Sequence, residues 1–169
     1  WYWNALNEDP NTAKKSRRER HFAITKFHNE NYGSDYPYSN FKDGFKAELF
    51  NPDEWANIFK RSGAKYVVLT SKHHDGYCLF PSTEASESYG MAWNSVESGP
   101  KRDLVGDLTS AVKNVGLKMG LYYSIWDWYN PYWTKQQQQI MSSGSLSVDT
   151  ADNGNRKSKF SNEEVKAAK

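Results

Sequence analysis

From Asn51 onward the apolar positions alternate between a helical and a strand rhythm, and each helical stretch stops at a glycine before a strand begins. Asn51 stands as N-cap ahead of Pro52, Asp53 and Glu54 lie at the positive end of the helix dipole, and Trp55, Ile58 and Phe59 recur at i, i+3 and i+4. Gly63 ends that helix. Lys65 to Thr70 then reads as a strand, its unbroken Val67, Val68 and Leu69 suiting a parallel sheet covered on both faces. Arg102 to Val115 places Leu104, Val105, Leu108, Ala111, Val112 and Val115 on one stripe, with Gly116 as the stop. Leu117 to Tyr123 alternates: Leu117, Met119, Leu121 and Tyr123 face one way, Lys118, Gly120, Tyr122 and Ser124 the other.

Repeats of this kind predict an α/β fold with a right-handed parallel βα unit. If the sheet closes into a barrel, the aliphatic face of the second strand meets the outer helices and the Gly120/Tyr122 face looks inward. Tyr122 then reaches the pocket mouth on the same rim as His73 and His74.

The flanking regions are less regular. Residues 1–44 are rich in Asn, Tyr, Asp and Gly and read as a long structured loop region, with a short helix around Arg18 to Asn29 that uses Phe22 and Phe27 as apolar positions. Asp75 to Pro100 is a connection of about 25 residues, far longer than a usual strand-to-helix loop, and loops of that size tend to carry function. From residue 134 the composition turns to Gln, Ser, Gly, Asn and Lys, so 1–133 is expected to be the folded portion and 134–169 a low-complexity, flexible segment.

With 169 residues, 37% hydrophobic and 25% charged, the chain can build one domain with a core. Its unusual value is 15% aromatic, which suits stacking against sugar rings or bases. A net charge of +2 and scattered Lys and Arg argue against a phosphate-tracking surface, and no nucleic-acid partner is expected. The basic run Lys14, Lys15, Arg17, Arg18 and Arg20 reads as a solvated helix face or loop. No apolar run approaches the roughly 18–20 residues of a membrane span, so no membrane partner is expected. Cys78, the single cysteine, sits between apolar neighbours and reads as a buried, inert thiol.

The chemistry concentrates in Lys65 to Gly76, KYVVLTSKHHDG, where an apolar strand runs into His73, His74 and Asp75. In parallel α/β architectures ligands bind at the carboxyl ends of strands. Three readings of the tandem histidines stand side by side. They are structural and hydrogen-bonded; or they ligate a metal, which adjacent side chains on an extended strand resist by pointing to opposite faces; or they hydrogen-bond a polyhydroxylated ligand, each imidazole offering a donor and an acceptor.

The runs FNPDEWANIFKRSGAKYVVLTSKHHDGYCLFPS, WNS near Trp93, GPKRDLVGDL from Gly99 to Leu108, and GLKMGLYYS followed by WDWYNP resemble, in order and spacing, the α-L-fucosidases of glycoside hydrolase family 29. The resemblance covers 45–133 and, more loosely, 1–44 through the Trp-rich start and NYGSDYPYSNF. It implies a (β/α)8 TIM-barrel-like catalytic domain followed by a β-sandwich, and hydrolysis of terminal α-L-fucose with retention. By position, His73 and His74 match the paired histidines that bond the fucose hydroxyls, and Tyr122 matches a tyrosine of the sugar pocket. Trp1 to Trp3 fall near the family's rim Glu-Trp pair, whose glutamate does not align within the chain.

Retaining glycosidases need two carboxyl groups about 5–5.5 Å apart. The family's Trp-x-Asp-Gly-like nucleophile context does not occur here, nor does the later acid/base context or the upstream His-Trp-Gly motif. Asp127 and Asp75 are superficial candidates, Asp75 reading better as a loop-capping carboxylate. A complete barrel takes about 250 residues, so this chain is expected to be a fragment with about two or three of eight strands, lacking nucleophile and acid/base. No metal and no cofactor are expected; the implied partners are fucosylated glycans or glycoproteins, and the implied location is secreted or lysosomal. The alternative is a non-catalytic fucose-binding module that keeps the histidines without the carboxylates.

Overall fold

The computed structural model describes residues 1–132, and the low-complexity segment expected over 134–169 lies outside the described residues. In chain order the elements are α1 (Tyr2–Leu6), α2 (Lys15–Asn31), a 3-10 turn (Tyr38–Asn40), α3 (Phe41–Gly44), α4 (Pro52–Arg61), β1 (Tyr66–Lys72), α5 (Thr83–Tyr89), α6 (Leu104–Asn114) and β2 (Lys118–Tyr123).

The two helices with clear apolar stripes form where their caps predict. The Asn51 side chain accepts from the Glu54 N–H at 3.2 Å and starts α4; Asp103 accepts from the Gly106 N–H at 2.8 Å and starts α6. Gly63 and Gly116 follow them with φ of +84° and +80°. β1 and β2 pair in parallel with Tyr66 opposite Lys118 and Thr70 opposite Tyr122, and α6 is the crossover between them. Both helices cover one face of the pair. Ala56, Leu108, Ala111 and Val112 form the buried core, with Phe59, Val67, Leu69, Val115, Leu117 and Met119 packed against it.

The expected burial of β1 on both faces does not occur among the described residues. Val67 and Leu69 meet the helices, whereas Tyr66 and Val68 on the opposite face are 66% and 55% exposed. The apolar run records a face that the two helices do not reach. Leu121 and Tyr123, assigned to the helix-facing side of β2, are also exposed, because the core against α6 ends at Met119. In α4, Trp55 and Ile58 stay largely exposed while Ala56 is buried: the stripe sits at the edge of the interface.

The amino-terminal region departs further from expectation. Rather than a long loop it is largely helical, and α2 spans 17 residues. Phe22 and Phe27 are exposed, and the buried residue of α2 is His28. Its Nε2 lies 3.0 Å from the Tyr36 carbonyl and its Nδ1 2.9 Å from the Tyr2 hydroxyl. The carbonyl can only accept, so Nε2 carries the hydrogen and Nδ1 accepts from Tyr2. Tyr2, Tyr32, Tyr36 and Phe41 surround this imidazole. A helix fastened by His28, by His21 at 2.9 Å from the Ala5 carbonyl and by an aromatic ring set lacks the aliphatic periodicity by which helices are read. The basic run forms the start of α2, with Arg17 and Arg20 at 3.6 and 3.7 Å from Glu8.

The long connection after β1 is folded on itself. The Asn94 side chain donates to the Ser82 carbonyl and Ser86 hydroxyl, both at 3.0 Å, and accepts from the Val96 and Glu97 N–H groups. Trp93, Asn94 and Ser95 are buried. Polar groups satisfy one another here around a small buried centre of Cys78, Tyr89 and Trp93.

Leu108→Ala should cost about 2–5 kcal/mol through the cavity it leaves, whereas Leu49→Ala, at a side chain 92% exposed, should stay within about 0.5 kcal/mol of wild type. Urea unfolding midpoints of the two variants check this contrast.

Candidate functional site

β1 ends in a bulge. Thr70 faces Tyr122 and Lys72 faces Tyr123, leaving Ser71 as an extra residue whose hydroxyl donates to the Tyr122 carbonyl at 2.9 Å. Bulges bend a strand and re-aim the residues beyond it, and they recur beside sites. The chain then enters a turn, closed by the Gly76 N–H donating to the His73 carbonyl at 2.9 Å. Gly76 has φ +75°, and a Cβ there would fall 1.9 Å from the Tyr89 hydroxyl, so both conformation and space require glycine.

This turn overturns the expected divergence of the two histidines. His73 and His74 are past the strand's end, so they do not point to opposite faces; their ring centroids lie 4.3 Å apart. Tyr122, from β2, stands with its ring 6.2 Å from that of His73. The structure therefore brings together the three residues singled out from the sequence. Burial, and next the charge His74 carries when protonated, pull the His73 pKa below its ordinary value, which favours the neutral ring. Among the described residues no group of three or more His, Cys, Asp and Glu is placed so that it could hold a metal ion.

Around them is an aromatic rim. Trp128 stacks on His74 with centroids 3.9 Å apart and planes at 11°. Trp1 meets His74 at 5.9 Å and Trp128 at 4.9 Å, both edge-on. A small cleft beside them is lined by Trp1, Trp3, Tyr38, His74, Asp75 and Trp128. Aromatic faces next to hydrogen-bonding nitrogens are suited to a ligand with apolar C–H faces and hydroxyl edges.

The two carboxylates are already engaged. Asp75 accepts from the Tyr38 hydroxyl at 3.1 Å and from the Tyr77 N–H at 3.2 Å, which is the loop-capping role expected of it. Burial, and then the Asp75 charge, raise the Tyr38 pKa, so the phenol stays a donor. Asp127 pairs with the buried ammonium of Lys72, which also lies 4.4 Å from the centre of the Tyr123 ring. Burial nonetheless raises the Asp127 pKa, against the lowering effect of Lys72. Cys78 is buried and its thiol is pushed up to about 11 by burial, consistent with an inert side chain.

Sequence reasoning missed Tyr38, Lys72 and Trp128 as members of this neighbourhood. Only Trp128 had a signal, since WDWYNP directly succeeds a strand whose partner ends in the histidines. Tyr38 lies far upstream, and a lysine at a strand end reads as a surface charge.

The model of the family described as Alpha-L-fucosidase matches residues 1–165, extending past the compositional break expected near 133. The chain is 44% identical over 131 residues to an Alpha-L-fucosidase of Dictyostelium discoideum, covering 78% of this chain and 26% of that protein. It is 38% identical over 138 residues to Plasma alpha-L-fucosidase of Homo sapiens, covering 81% of this chain and 26% of the relative. Among solved structures, the Thermotoga maritima alpha-fucosidase in complex with fucose aligns at 36% identity and a TM-score of 0.61, over 84% of this chain and 35% of that one. The chain thus spans about a quarter of the length of the curated relatives it matches.

Lys72→Met should destabilise the fold by about 3–5 kcal/mol, because it strands Asp127 as a partly buried carboxylate. Adding Asp127→Asn should recover part of that loss, and thermal or urea unfolding of the single and double variants reads it out.

Proposed function

The chain belongs to the alpha-L-fucosidase family, and we propose that its described residues form the sugar-gripping part of a retaining enzyme that releases terminal α-L-fucose from glycans and glycoproteins. The parallel β1 and β2 with crossover α6 are, in this reading, consecutive strands of a (β/α)8 barrel, with the open face of Tyr66, Val68 and Tyr122 looking inward. What supports it most is the convergence of His73, His74 and Tyr122 at the carboxyl ends of those two strands, beside an aromatic rim.

The roles divide by chemistry. No described residue hydrogen-bonds either ring nitrogen of His73, and burial favours its neutral form, which offers one donor and one acceptor to sugar hydroxyls. His74, whose Nδ1 faces the Trp126 carbonyl, offers its second nitrogen. Tyr122, half exposed, supplies a ring face and a phenol. Bond cleavage is assigned to carboxylates other than Asp75 and Asp127, because each of these is held by neighbours in a structural role. The name of the plasma relative supports secretion; a lysosomal address is the alternative implied by the resemblance.

A second reading, a fucose-binding module without turnover, draws on the same two engaged carboxylates. Equilibrium binding separates the readings: tight fucose binding with no hydrolysis by the protein as its gene encodes it selects the module.

That protein should release the aryl group from an aryl α-L-fucoside. His73→Ala and His74→Ala should each lower kcat/KM by about tenfold to a hundredfold, since bonds to sugar hydroxyls strengthen as the ring flattens. Unchanged efficiency in both variants removes them from the site. The purified 169-residue chain alone should show no turnover; measurable hydrolysis would return Asp75 or Asp127 to contention.

A further inference from the structure

The aromatic and acidic run after β2 takes no part in the sugar contacts assigned above, yet Trp126, Asp127 and Trp128 all converge on the end of β1. Trp128 lies flat on the His74 ring. Trp126 turns its backbone carbonyl to within 2.8 Å of His74 Nδ1, and the Ser124 hydroxyl stands 3.2 Å from the same nitrogen. Asp127 holds Lys72, two residues before His74, and the Tyr129 N–H donates to the His74 carbonyl at 3.4 Å. The run is also tied at its start, where the Ser124 N–H donates to the Lys72 carbonyl at 3.1 Å.

The hydrogen-bond chemistry of this clamp fixes where a proton sits. A carbonyl oxygen accepts and cannot donate, so in the neutral imidazole Nδ1 must carry the hydrogen. Nε2 is then left with its lone pair, and no described residue bonds it. A flat indole at 3.9 Å keeps the ring from rotating out of this arrangement, which contacts at one edge nitrogen alone do not do.

We propose that Trp128, acting with the Trp126 carbonyl, is a positioning residue that locks His74 in its Nδ1–H tautomer and presents Nε2 to the ligand as a bare acceptor; this rests on reading His74 as a sugar-binding residue. The lock sets specificity as well as affinity. An acceptor nitrogen admits a ligand hydroxyl that donates to it, and it rejects an analogue with a carbonyl or ether oxygen at that place, because two lone pairs then face each other. Trp128 contributes through His74, so its loss acts on the proton position as much as on packing.

The test uses the protein as its gene encodes it, labelled with 15N-histidine, with long-range 1H–15N spectra and L-fucose titrations. His74 signals are identified by their disappearance in His74→Gln. In wild type we expect a pyrrole-like Nδ1 and a pyridine-like Nε2. Trp128→Phe, which keeps a flat ring, should preserve both the pattern and the affinity. Trp128→Ala and Trp128→Leu should give averaged shifts from mixed tautomers and bind L-fucose about tenfold more weakly, the worth of one misplaced hydrogen bond. If Trp128→Ala fails to fold, Trp128→Leu, which fills volume without a flat face, carries the comparison with Trp128→Phe. A pyridine-like Nδ1 in wild type overturns the lock whether or not fucose binds, as does a Trp128→Leu protein that keeps wild-type shifts and affinity. Absence of fucose binding in wild type with the pyrrole-like Nδ1 intact overturns instead the sugar-binding reading of His74, and with it the proposed presentation to a ligand.

Discussion

The pairing of Lys72 with Asp127 is the constraint on which the site depends. Lys72 is the last residue of β1, its side chain almost wholly buried, and Asp127 belongs to the segment after β2. Burying an ammonium without a partner costs several kcal/mol, so once the strand carries Lys72 into the interior the segment after β2 must bring a carboxylate to it. Backbone hydrogen bonds from Ser124 to Lys72 and from Tyr129 to His74 run beside the ion pair. Together they fasten two loops that the sheet alone brings near but does not join. Trp128 reaches His74 because Asp127 is anchored one residue before it. A buried ion pair is weak evidence for stability and better evidence for a specified geometry, and here the geometry specified is that of the histidines.

A second consequence concerns the unequal faces of the sheet. Aliphatic side chains of β1 and β2 pack on α4 and α6 up to Met119, and this interface needs nothing further to exclude water. The opposite face exposes Tyr66, Val68 and Tyr122. The polar chemistry thus grows from the less covered side, at the strand ends, while the helices hold the strands from behind. This separation lets a catalytic family vary its loops without disturbing the layer that fixes them.

How much of this was legible in the chain depends on the range of each interaction. Asn51, Asp103, Gly63 and Gly116 act on neighbours within one helical turn, so α4 and α6 could be read with their caps and stops. Alternation in Leu117 to Tyr123 put Tyr122 on the side of His73, and the rings are indeed neighbours. The amino-terminal helices escaped notice because what fastens them is the bond of His28 to Tyr2 and Tyr36, across 26 and eight residues, and not an aliphatic stripe. The divergence expected of His73 and His74 failed for a local reason with a tertiary cause. A bulge at Ser71 and a turn at Gly76, packed against Tyr89, end the strand before the histidines.

By itself, then, the sequence determined the helices and strands whose caps, stops and periodicities lie within a few residues, the placing of hydrogen-bonding side chains just past a strand, and, through long motifs in order, the family. Only the tertiary structure decided that the two histidines lie ring beside ring, that Asp75 and Asp127 are held by Tyr38 and Lys72, and that Trp128 covers His74. The physical reason is the same in each case. Local pattern encodes which face of an element is apolar, whereas the partner of a buried charge or a ring is chosen by what the folded chain brings within about 4 Å of it, a choice that spans 37 positions for Asp75 and 55 for Asp127.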